Sequence, residues 1–269
     1  MAKTEYIICE HMKKENIFEI LNKSYFSAEM DEYDVITHLK DLGKINLFVD
    51  IGASLGQYTY FMDKIINKAE IITIEADIIR YDQLCLNCKK WLKDSANTIK
   101  CIHSAISDIN GDISFFSTNS NVSGGLFKHN LSHLSNDQKK DVNWNQITVP
   151  GIKLDTLFNT KIPDLIKIDI EGSELRALKG AENLLKAGKT VFLIEVHNWH
   201  DPRGQKGSKE VFEFLLKYNY KPYFFFGKTL FVKNIHKRLP GLWFKLQFYK
   251  ALNFINRVKL KLVSITKSF

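Results

Sequence analysis

The segment LFVDIGASLG, residues 47–56, constrains the fold of this chain more than any other stretch. It begins with an apolar, β-branched run, reaches an acid at Asp50, and ends in a turn that carries Gly52 and Gly56. An apolar strand that leads through a glycine-rich turn into a helix is how Rossmann-like sheets build a cofactor site. Glycine lets the backbone approach a ligand closely, and the first turn of a helix offers unpaired N–H donors. The segment therefore predicts a ligand-binding turn at the edge of such a sheet.

Strand and helix patterns alternate along the rest of the chain. The sequence predicts strands over 45–51, 70–76, 97–106, 111–117, 164–170 and 190–196, helices over 56–68, 81–94, 173–188 and 209–218, and a closing hairpin over 220–233. This alternation is typical of a parallel, doubly wound sheet. The predicted fold class is α/β, with a mostly parallel Rossmann-like sheet and a C-terminal antiparallel hairpin.

Three further segments lie outside this pattern. Residues 1–44 are polar and helical in pattern and predict an N-terminal helical cap, so that the main domain would span residues 45–234. Residues 118–146 are rich in Ser and Asn and predict a long mobile loop, and loops of this length are often functional. Residues 235–269 predict a basic amphipathic C-terminal helix.

Basic residues are concentrated near the C-terminus. The chain has a net charge of +8, yet residues 214–269 hold 12 Lys and Arg and no acid, and the rest holds 26 basic and 30 acidic residues. This distribution argues against a general nucleic-acid-binding surface. Residues 239–262 interleave aromatic and apolar side chains with Lys and Arg, which is typical of a helix at a membrane surface. We expect this helix either to contact an anionic membrane or to pack on protein, including a second copy in a homodimer.

The sequence shows no targeting segment. Charges in the first 16 residues are too closely spaced for a secretory signal, and no run of 18 uncharged apolar residues occurs. The four cysteines are sparse, which indicates reduced thiols rather than a disulfide framework. We expect a cytoplasmic protein, peripheral at the inner face of the membrane if the tail is an anchor.

The glycine spacing and two acids indicate which cofactor would suit the turn. The glycines form GxxxG, without the middle glycine of the dinucleotide fingerprint GxGxxG, and Asp50 would repel a pyrophosphate but could hold an ammonium group. Glu75 follows Asp50 by 25 residues at the end of the second predicted strand, where an acid can accept both hydroxyls of a ribose. S-adenosylmethionine carries both an ammonium group and a ribose, so this pattern favours it.

A set of motifs spread over residues 45–235 resembles the FkbM family of S-adenosylmethionine-dependent methyltransferases. The resemblance rests on VDIGASLGQYT, TIEAD, AISDINGDISFF, KLDTLF, IKIDIEGSELRALKGA and IEVH, which occur in the family's order. Ser54 is a departure, since many members carry a larger polar residue there. The resemblance implies a class I methyltransferase fold and methylation of a hydroxyl, usually on a sugar or polyketide.

We therefore predict an S-adenosylmethionine-dependent O-methyltransferase that acts on a hydroxyl of a saccharide, glycolipid or related metabolite by in-line transfer. The predicted donor-binding residues are Asp50, Gly52, Ala53, Ser54, Gly56, Tyr58, Glu75, Ser104, Ala105 and Asp169. The acceptor would be chosen by the loop from Ser117 to Gln146 and by the N-terminal cap.

The predicted catalytic residues lie at two strand ends. In-line methyl transfer needs an aligned oxygen and a base that takes its proton. Asp169 and Glu171 follow one predicted strand, and Glu195 and His197 follow the next. We prefer His197 as the base, oriented by Glu195, although His197 could be a buried structural histidine and Glu171 a helix cap. Asp155 could be structural or face the substrate.

Three alternatives remain open from the sequence. Asp169, Glu195, His197 and His200 could supply ligands to a divalent metal, but no compact metal-binding spacing is present, so we do not favour a metal. A nicotinamide-dependent oxidoreductase could use the same fold, although the missing glycine and Asp50 argue against it. A membrane-associated binding module without turnover is the remaining alternative, although the intact acids argue against it.

Overall fold

The computed structural model describes residues 45–118, 124–128, 142–197, 205–224, 228–238 and 241. The predicted helical cap, nearly all of the basic tail, His200 and most of the predicted 118–146 loop lie outside these residues. Within the described ranges, no helix has both the length and the apolar character needed to cross a bilayer. The predicted membrane contact, homodimer and cytoplasmic location therefore stay predictions.

Ten strands and seven helices make up the described part of the chain. The strands are β1 Leu47–Ile51, β2 Glu70–Glu75, β3 Thr98–His103, β4 Ala105–Ile106, β5 Gly111–Thr118, β6 Trp144–Ile152, β7 Leu165–Ile168, β8 Val191–Ile194, β9 Lys221–Phe224 and β10 Thr229–Val232. The helices are α1 Gln57–Ile65, α2 Ile78–Trp91, α3 Leu154–Leu157, α4 Glu174–Lys179, α5 Glu182–Ala187, α6 Gln205–Lys217 and α7 Ile235–Arg238.

Seven of these strands form the main sheet, in the order β3-β2-β1-β7-β8-β10-β9. The first five lie parallel, while β10 runs antiparallel to both β8 and β9. The predicted mostly parallel sheet with a C-terminal antiparallel hairpin is therefore confirmed. Strands β2 and β3 are added on one side of β1, and the chain then returns to the other side of β1 with β7. Ligands bind at such switch points, where the strand order reverses.

The main sheet is buried on both faces, which explains why its strands read as continuous apolar runs. Successive side chains point to opposite faces. Along β1, Val49 and Ile51 join the larger core cluster, whereas Phe48 joins the cluster on the other side. Along β8, Phe192 and Leu193 divide in the same way. The sheet therefore holds the polar residues at its carboxyl edge on a rigid base.

A second sheet of three strands, in the order β4-β6-β5, flanks the main one. The sequence predicted one strand over 97–106, but it divides at Ser104 into β3 of the main sheet and β4 of the small one. The strand β6 was not predicted, because Pro150 and a polar start argue against a strand there. Since β5 reaches Thr118 and β6 begins at Trp144, both ends of the predicted mobile loop are ordered strand.

The predicted helix over 173–188 is also divided, into α4 and α5, at Gly180. The carbonyl of Gly180 accepts a hydrogen bond from the N–H of Asp155, and the Asp155 carboxylate accepts from the N–H groups of Asn183 and Leu184 at the start of α5. Asp155 therefore has a structural contact, that of a helix cap. A Cβ at Gly180 would lie 2.1 Å from the carbonyl oxygen of Ser107, so this turn requires glycine.

We expect Gly180→Ala to lower the free energy of unfolding by about 1–3 kcal/mol, because a methyl group would overlap a backbone atom that cannot move aside. The neighbouring exposed Lys179→Ala should change it by less than about 0.5 kcal/mol. Chemical denaturation of both variants tests this. Equal stability of the two would show that the turn tolerates a side chain.

Candidate functional site

An open cleft lies at the carboxyl ends of β1, β2 and β7. About 660 Å³ lies between its walls, part of it open to solvent. The turns after the three strands line it together with β4, β5 and residues 124–126. Its polar lining residues are Ser54, Glu75, Arg80, Ser104, Asp169, Glu171 and Ser173.

The glycine turn after β1 packs against the turn after β7. Gly52 has φ +71°, and a Cβ there would lie 1.8 Å from the carbonyl oxygen of Asp169. The atom closest to a side chain at this position therefore belongs to the protein backbone, although Gly52 also lines the cleft. Gly56 has φ +91° and precedes α1, and a Cβ there would lie 2.8 Å from Leu84. The two glycines thus fix the turn that forms one wall.

Glu75 is the buried acid of the cleft. Its Oε2 accepts a hydrogen bond from the N–H of Ser54 at 2.8 Å, and its Oε1 accepts from the N–H groups of Ala76 and Asp77 at 2.9 Å. Burial raises the pKa of Glu75, although these N–H groups oppose the shift. A carboxylate held in this way presents its remaining lone pairs to the cleft in a fixed direction.

Lys167 is a buried cation that the sequence analysis missed. Its Nζ lies 3.3 Å from Asp50 Oδ1 and 3.4 Å from Asp169 Oδ2, and it donates to the carbonyl of Gly52 at 3.1 Å. Burial alone would lower the pKa of Lys167, but Asp50 and Asp169 outweigh that effect and raise it. The signal was a lysine inside the apolar strand LIKI, since a buried cation needs partners.

Asp50 lies behind this lysine and not in the cleft. Its side chain is 0% exposed, its Oδ2 accepts from the hydroxyl of Thr59 at 2.8 Å, and it is not among the lining residues. The predicted direct contact between Asp50 and an ammonium group therefore does not fit, because Lys167 already neutralises this carboxylate. Asp50 instead fixes Lys167, and Lys167 pairs with Asp169, which does line the cleft.

Two buried hydroxyl groups near the cleft have no hydrogen-bond partner among the described residues. One is Ser173 Oγ, in a side chain that is 2% exposed and lines the cleft. The other is Tyr58 Oη, on a ring that lies 5.1 Å from Lys167 Nζ and 5.3 Å from Lys228 Nζ. An unpaired buried hydroxyl is costly, so each marks a position where a ligand could supply the partner.

Four carboxylates surround the imidazole of His197, three near Nε2 and one at Nδ1. Nε2 lies 3.3 Å from Glu171, 3.6 Å from Glu195 and 3.8 Å from Asp169, while Nδ1 lies 2.8 Å from Glu174 Oε1. Burial by itself disfavours the imidazolium, but Glu174, Glu171 and Asp169 outweigh it and raise the pKa of His197 to about 9. These neighbours favour the imidazolium form, which is a poor base, so the role of His197 as the base stays a prediction that its surroundings disfavour.

The backbone at Glu171 brings its side chain to this cluster. Glu171 has φ +53° and is followed by Gly172 at φ +94°, so the turn after β7 passes through two left-handed residues. Such a conformation is rare for a residue with a long side chain and occurs often at functional sites. The helix-cap role that the sequence left open for Glu171 does not fit, since the N-cap residue of α4 is Ser173 and no side chain of the described residues makes a capping hydrogen bond there.

The structure brings six of the ten predicted donor-binding residues to the cleft lining. These are Gly52, Ser54, Glu75, Ser104, Ala105 and Asp169. The other four, Asp50, Ala53, Gly56 and Tyr58, are not in the lining, and Ala53 packs in a core cluster with Leu84. Of the predicted catalytic residues, Asp169 and Glu171 line the cleft, and His197 and Glu195 meet them at its edge.

Asp169, Glu195 and His197 also satisfy the geometry of a metal site. One ligand atom from each lies within 4.8 Å of the others. Glu195 and His197 follow β8, directly beside β7 in the sheet, and this adjacency brings them to Asp169. His200 lies outside the described residues.

The family to which the chain belongs follows from comparison with known proteins. Residues 50–222 match the family described as the methyltransferase FkbM domain, well over half of the chain. The chain belongs to the FkbM family. The resemblance stated from the sequence motifs is thereby confirmed, and the sheet order above is consistent with the class I methyltransferase fold that it implied.

This FkbM chain is similar to one curated relative and to two solved structures. Hexuronic acid methyltransferase AglP of Haloferax volcanii is 25% identical over 173 residues, which is 64% of this chain and 65% of that protein. A methyltransferase FkbM from Methylobacillus flagellatus is 19% identical with a TM-score of 0.48, over 70% of this chain and 43% of that one. An O-methyltransferase from Bacillus cereus, solved in complex with SAH, is 12% identical with a TM-score of 0.44, and the match covers 77% of this chain and 84% of that one.

We expect Lys167→Met to lower the free energy of unfolding of this FkbM protein by about 3–5 kcal/mol, because Asp50 would become a buried charge without a cation. The double variant Lys167→Met with Asp50→Asn removes that charge and should regain part of the loss. Urea denaturation measures both, with the exposed Lys186→Met as control. If the single variant matched that control, the buried pairing would not hold the turns together.

Proposed function

We propose that this chain is an S-adenosylmethionine-dependent O-methyltransferase that acts on a hydroxyl of a saccharide, glycolipid or related metabolite. The observation that carries the proposal is the position of Asp169. This residue lines the cleft beside the glycine turn, and its second oxygen faces His197. The residues proposed to bind the donor and the ionisable groups around His197 therefore meet at one side chain, which suits a transfer between two molecules bound side by side.

The cleft lining suits the donor. Glu75 offers fixed carboxylate oxygens to a ribose, the small residues Gly52 and Ala105 leave room beside it, and the unpaired hydroxyl of Ser173 offers a further polar contact. Asp169, with one carboxylate oxygen paired to Lys167, is the acid of the lining available to a cationic amine. When bound, the donor supplies a methyl group that is already activated by its sulfonium.

The residues at the edge of the cleft supply orientation and proton transfer. A hydroxyl that attacks the methyl group must be aligned with it and must lose its proton during the transfer. Since the neighbouring acids favour the charged form of His197, the carboxylates of Asp169 and Glu171, which line the cleft, are the groups better suited to accept that proton. A positive charge on His197 would keep both carboxylates ionised, which is the form that can accept a proton.

A saccharide acceptor is supported by the relative AglP, whose name describes a hexuronic acid methyltransferase. Since this chain spans 65% of that protein, the likeness supports the acceptor class and not a particular sugar. The family match argues against the nicotinamide-dependent oxidoreductase considered from the sequence. Contact with a membrane-borne acceptor through residues 239–262 remains a proposal from the sequence.

Calorimetric titration with S-adenosylhomocysteine tests the donor site. Glu75→Gln should weaken binding tenfold or more, because a hydrogen bond from a ribose hydroxyl to a charged oxygen is lost. Glu70→Gln, at the opposite end of the same strand, is the matched control and should bind as the wild type does. Absence of binding by the wild type would overturn the proposed function.

Transfer of a radiolabelled methyl group tests the acceptor class. We expect label from S-adenosylmethionine to enter a glucuronic acid glycoside or a neutral sugar glycoside, and Glu171→Gln to slow the transfer tenfold or more, in line with a lost acid–base group. Glu182→Gln on α5 is the control. If the protein binds S-adenosylhomocysteine but labels no saccharide, the saccharide assignment is wrong while the donor assignment stands.

A further inference from the structure

The cluster around His197 places oxygen and nitrogen atoms at the spacing of metal ligands. Atoms on a six-coordinate ion with bonds of about 2.1 Å lie about 3.0 Å apart when adjacent and about 4.2 Å apart when opposite. Nε2 of His197 lies 3.3 Å from Glu171, 3.6 Å from Glu195 and 3.8 Å from Asp169. Oxygen atoms of Asp169 and Glu195 and Nε2 of His197 lie within 4.8 Å of one another, so movements of under about 1 Å would bring these three atoms to the spacing of ligands on one ion.

Two lysines fix the carboxylates so that one oxygen of each faces the centre of the cluster. Asp169 pairs with Lys167 through Oδ2 and faces His197 with Oδ1. Glu195 pairs with Lys228 through Oε2, at 2.8 Å, and faces His197 with Oε1. Each carboxylate is therefore oriented to supply one ligand oxygen, while its other oxygen is held by a cation outside the centre.

The orientation of His197 is fixed in the way that metal-binding histidines usually are. Its Nδ1 lies 2.8 Å from Oε1 of Glu174, and both side chains are buried, at 5% and 2% exposure. A carboxylate on the far ring nitrogen holds the imidazole so that the other nitrogen points at the ion. Glu174 thus aims Nε2 at the three carboxylate oxygens.

A second observation points to a ligand in the cleft that Asp169 lines. Ser173 Oγ is buried without a hydrogen-bond partner among the described residues, and it lines the same cleft as Asp169 and Glu171. This part of the wall is therefore built to take another polar atom. An ion with its bound water, or an acceptor hydroxyl, would provide one.

We propose that Asp169, Glu195 and His197 bind one divalent cation of the Mn²⁺ class, with Glu174 as the residue that orients His197. A set of two carboxylates and one imidazole suits a hard to intermediate ion and offers no thiolate to favour a softer one. A cation here lies beside the Asp169 wall of the cleft. Binding of the ion would displace the proton from Nε2 of His197. The ion would then bind the acceptor hydroxyl and make its proton easier to remove, and the carboxylate of Glu171, which is not one of the three ligands, would accept that proton. That role rests on the proposed function, whereas binding of the ion does not.

Electron paramagnetic resonance of Mn²⁺ titrated into the full, metal-stripped chain tests the site directly. We expect the wild type to remove the signal of one free ion per chain, with saturation. Glu195→Gln and His197→Asn should each weaken binding tenfold or more, because each removes one ligand. Glu213→Gln, which removes an exposed carboxylate on α6, should bind Mn²⁺ as the wild type does.

The same preparations are titrated with S-adenosylhomocysteine to show that each variant keeps a folded donor site. A wild type that binds S-adenosylhomocysteine but shows no saturable Mn²⁺ binding overturns the metal site and leaves the proposed function intact. Equal Mn²⁺ binding by Glu195→Gln and Glu213→Gln would place the ion elsewhere and also overturn it. If His197→Asn does not fold, Glu195→Gln alone decides, since Glu195 is partly exposed at the edge of the cleft.

Discussion

The buried ion pairs of Lys167 hold the site together. One ammonium group, in a side chain 4% exposed, reaches the acid at the end of β1, the acid after β7 and the backbone of the glycine turn. The two strands are neighbours in the sheet, so this cation fixes the distance between their turns. The positions of Gly52 and Asp169, which line the cleft, depend on that distance. Because the charges are out of water, their mutual attraction is strong and the loss of one leaves the others uncompensated.

Much of the fold could be predicted from the sequence, since buried parallel strands leave continuous apolar runs and glycine turns punctuate them. The parts that could not be predicted depend on contacts distant in the chain. The strand predicted over 97–106 divides at Ser104 because β4 pairs with β6. The strand β6 was not predicted, because its Pro150 argues against a strand. The break at Gly180 follows from the nearby carbonyl of Ser107, far away in sequence.

The candidate site also has features that could be predicted from the sequence and features that could not. Glu75, Asp169 and Glu171 were predictable because acids at strand ends meet at one edge of a parallel sheet. The behaviour of Asp50 and His197 was not, because it depends on partners that the linear pattern does not reveal: Lys167 for the aspartate and Glu174 for the histidine. In both cases the residue lies beside a lining residue of the cleft, while the direction it faces follows only from the three-dimensional arrangement.

The segment 124–128 has a consequence for how molecules enter and leave. Gly125 joins β5 through a single bridge to Phe116, made by two backbone hydrogen bonds, and Gly124, Gly125 and Leu126 line the cleft. The strand that carries this bridge belongs to the small sheet. Loosening the bridge would therefore widen the cleft without breaking any pairing of the seven-stranded sheet. One wall of the cleft is therefore held by a single bridge to the small sheet, while Glu75, Asp169 and Glu171 stand at strand ends of the seven-stranded sheet.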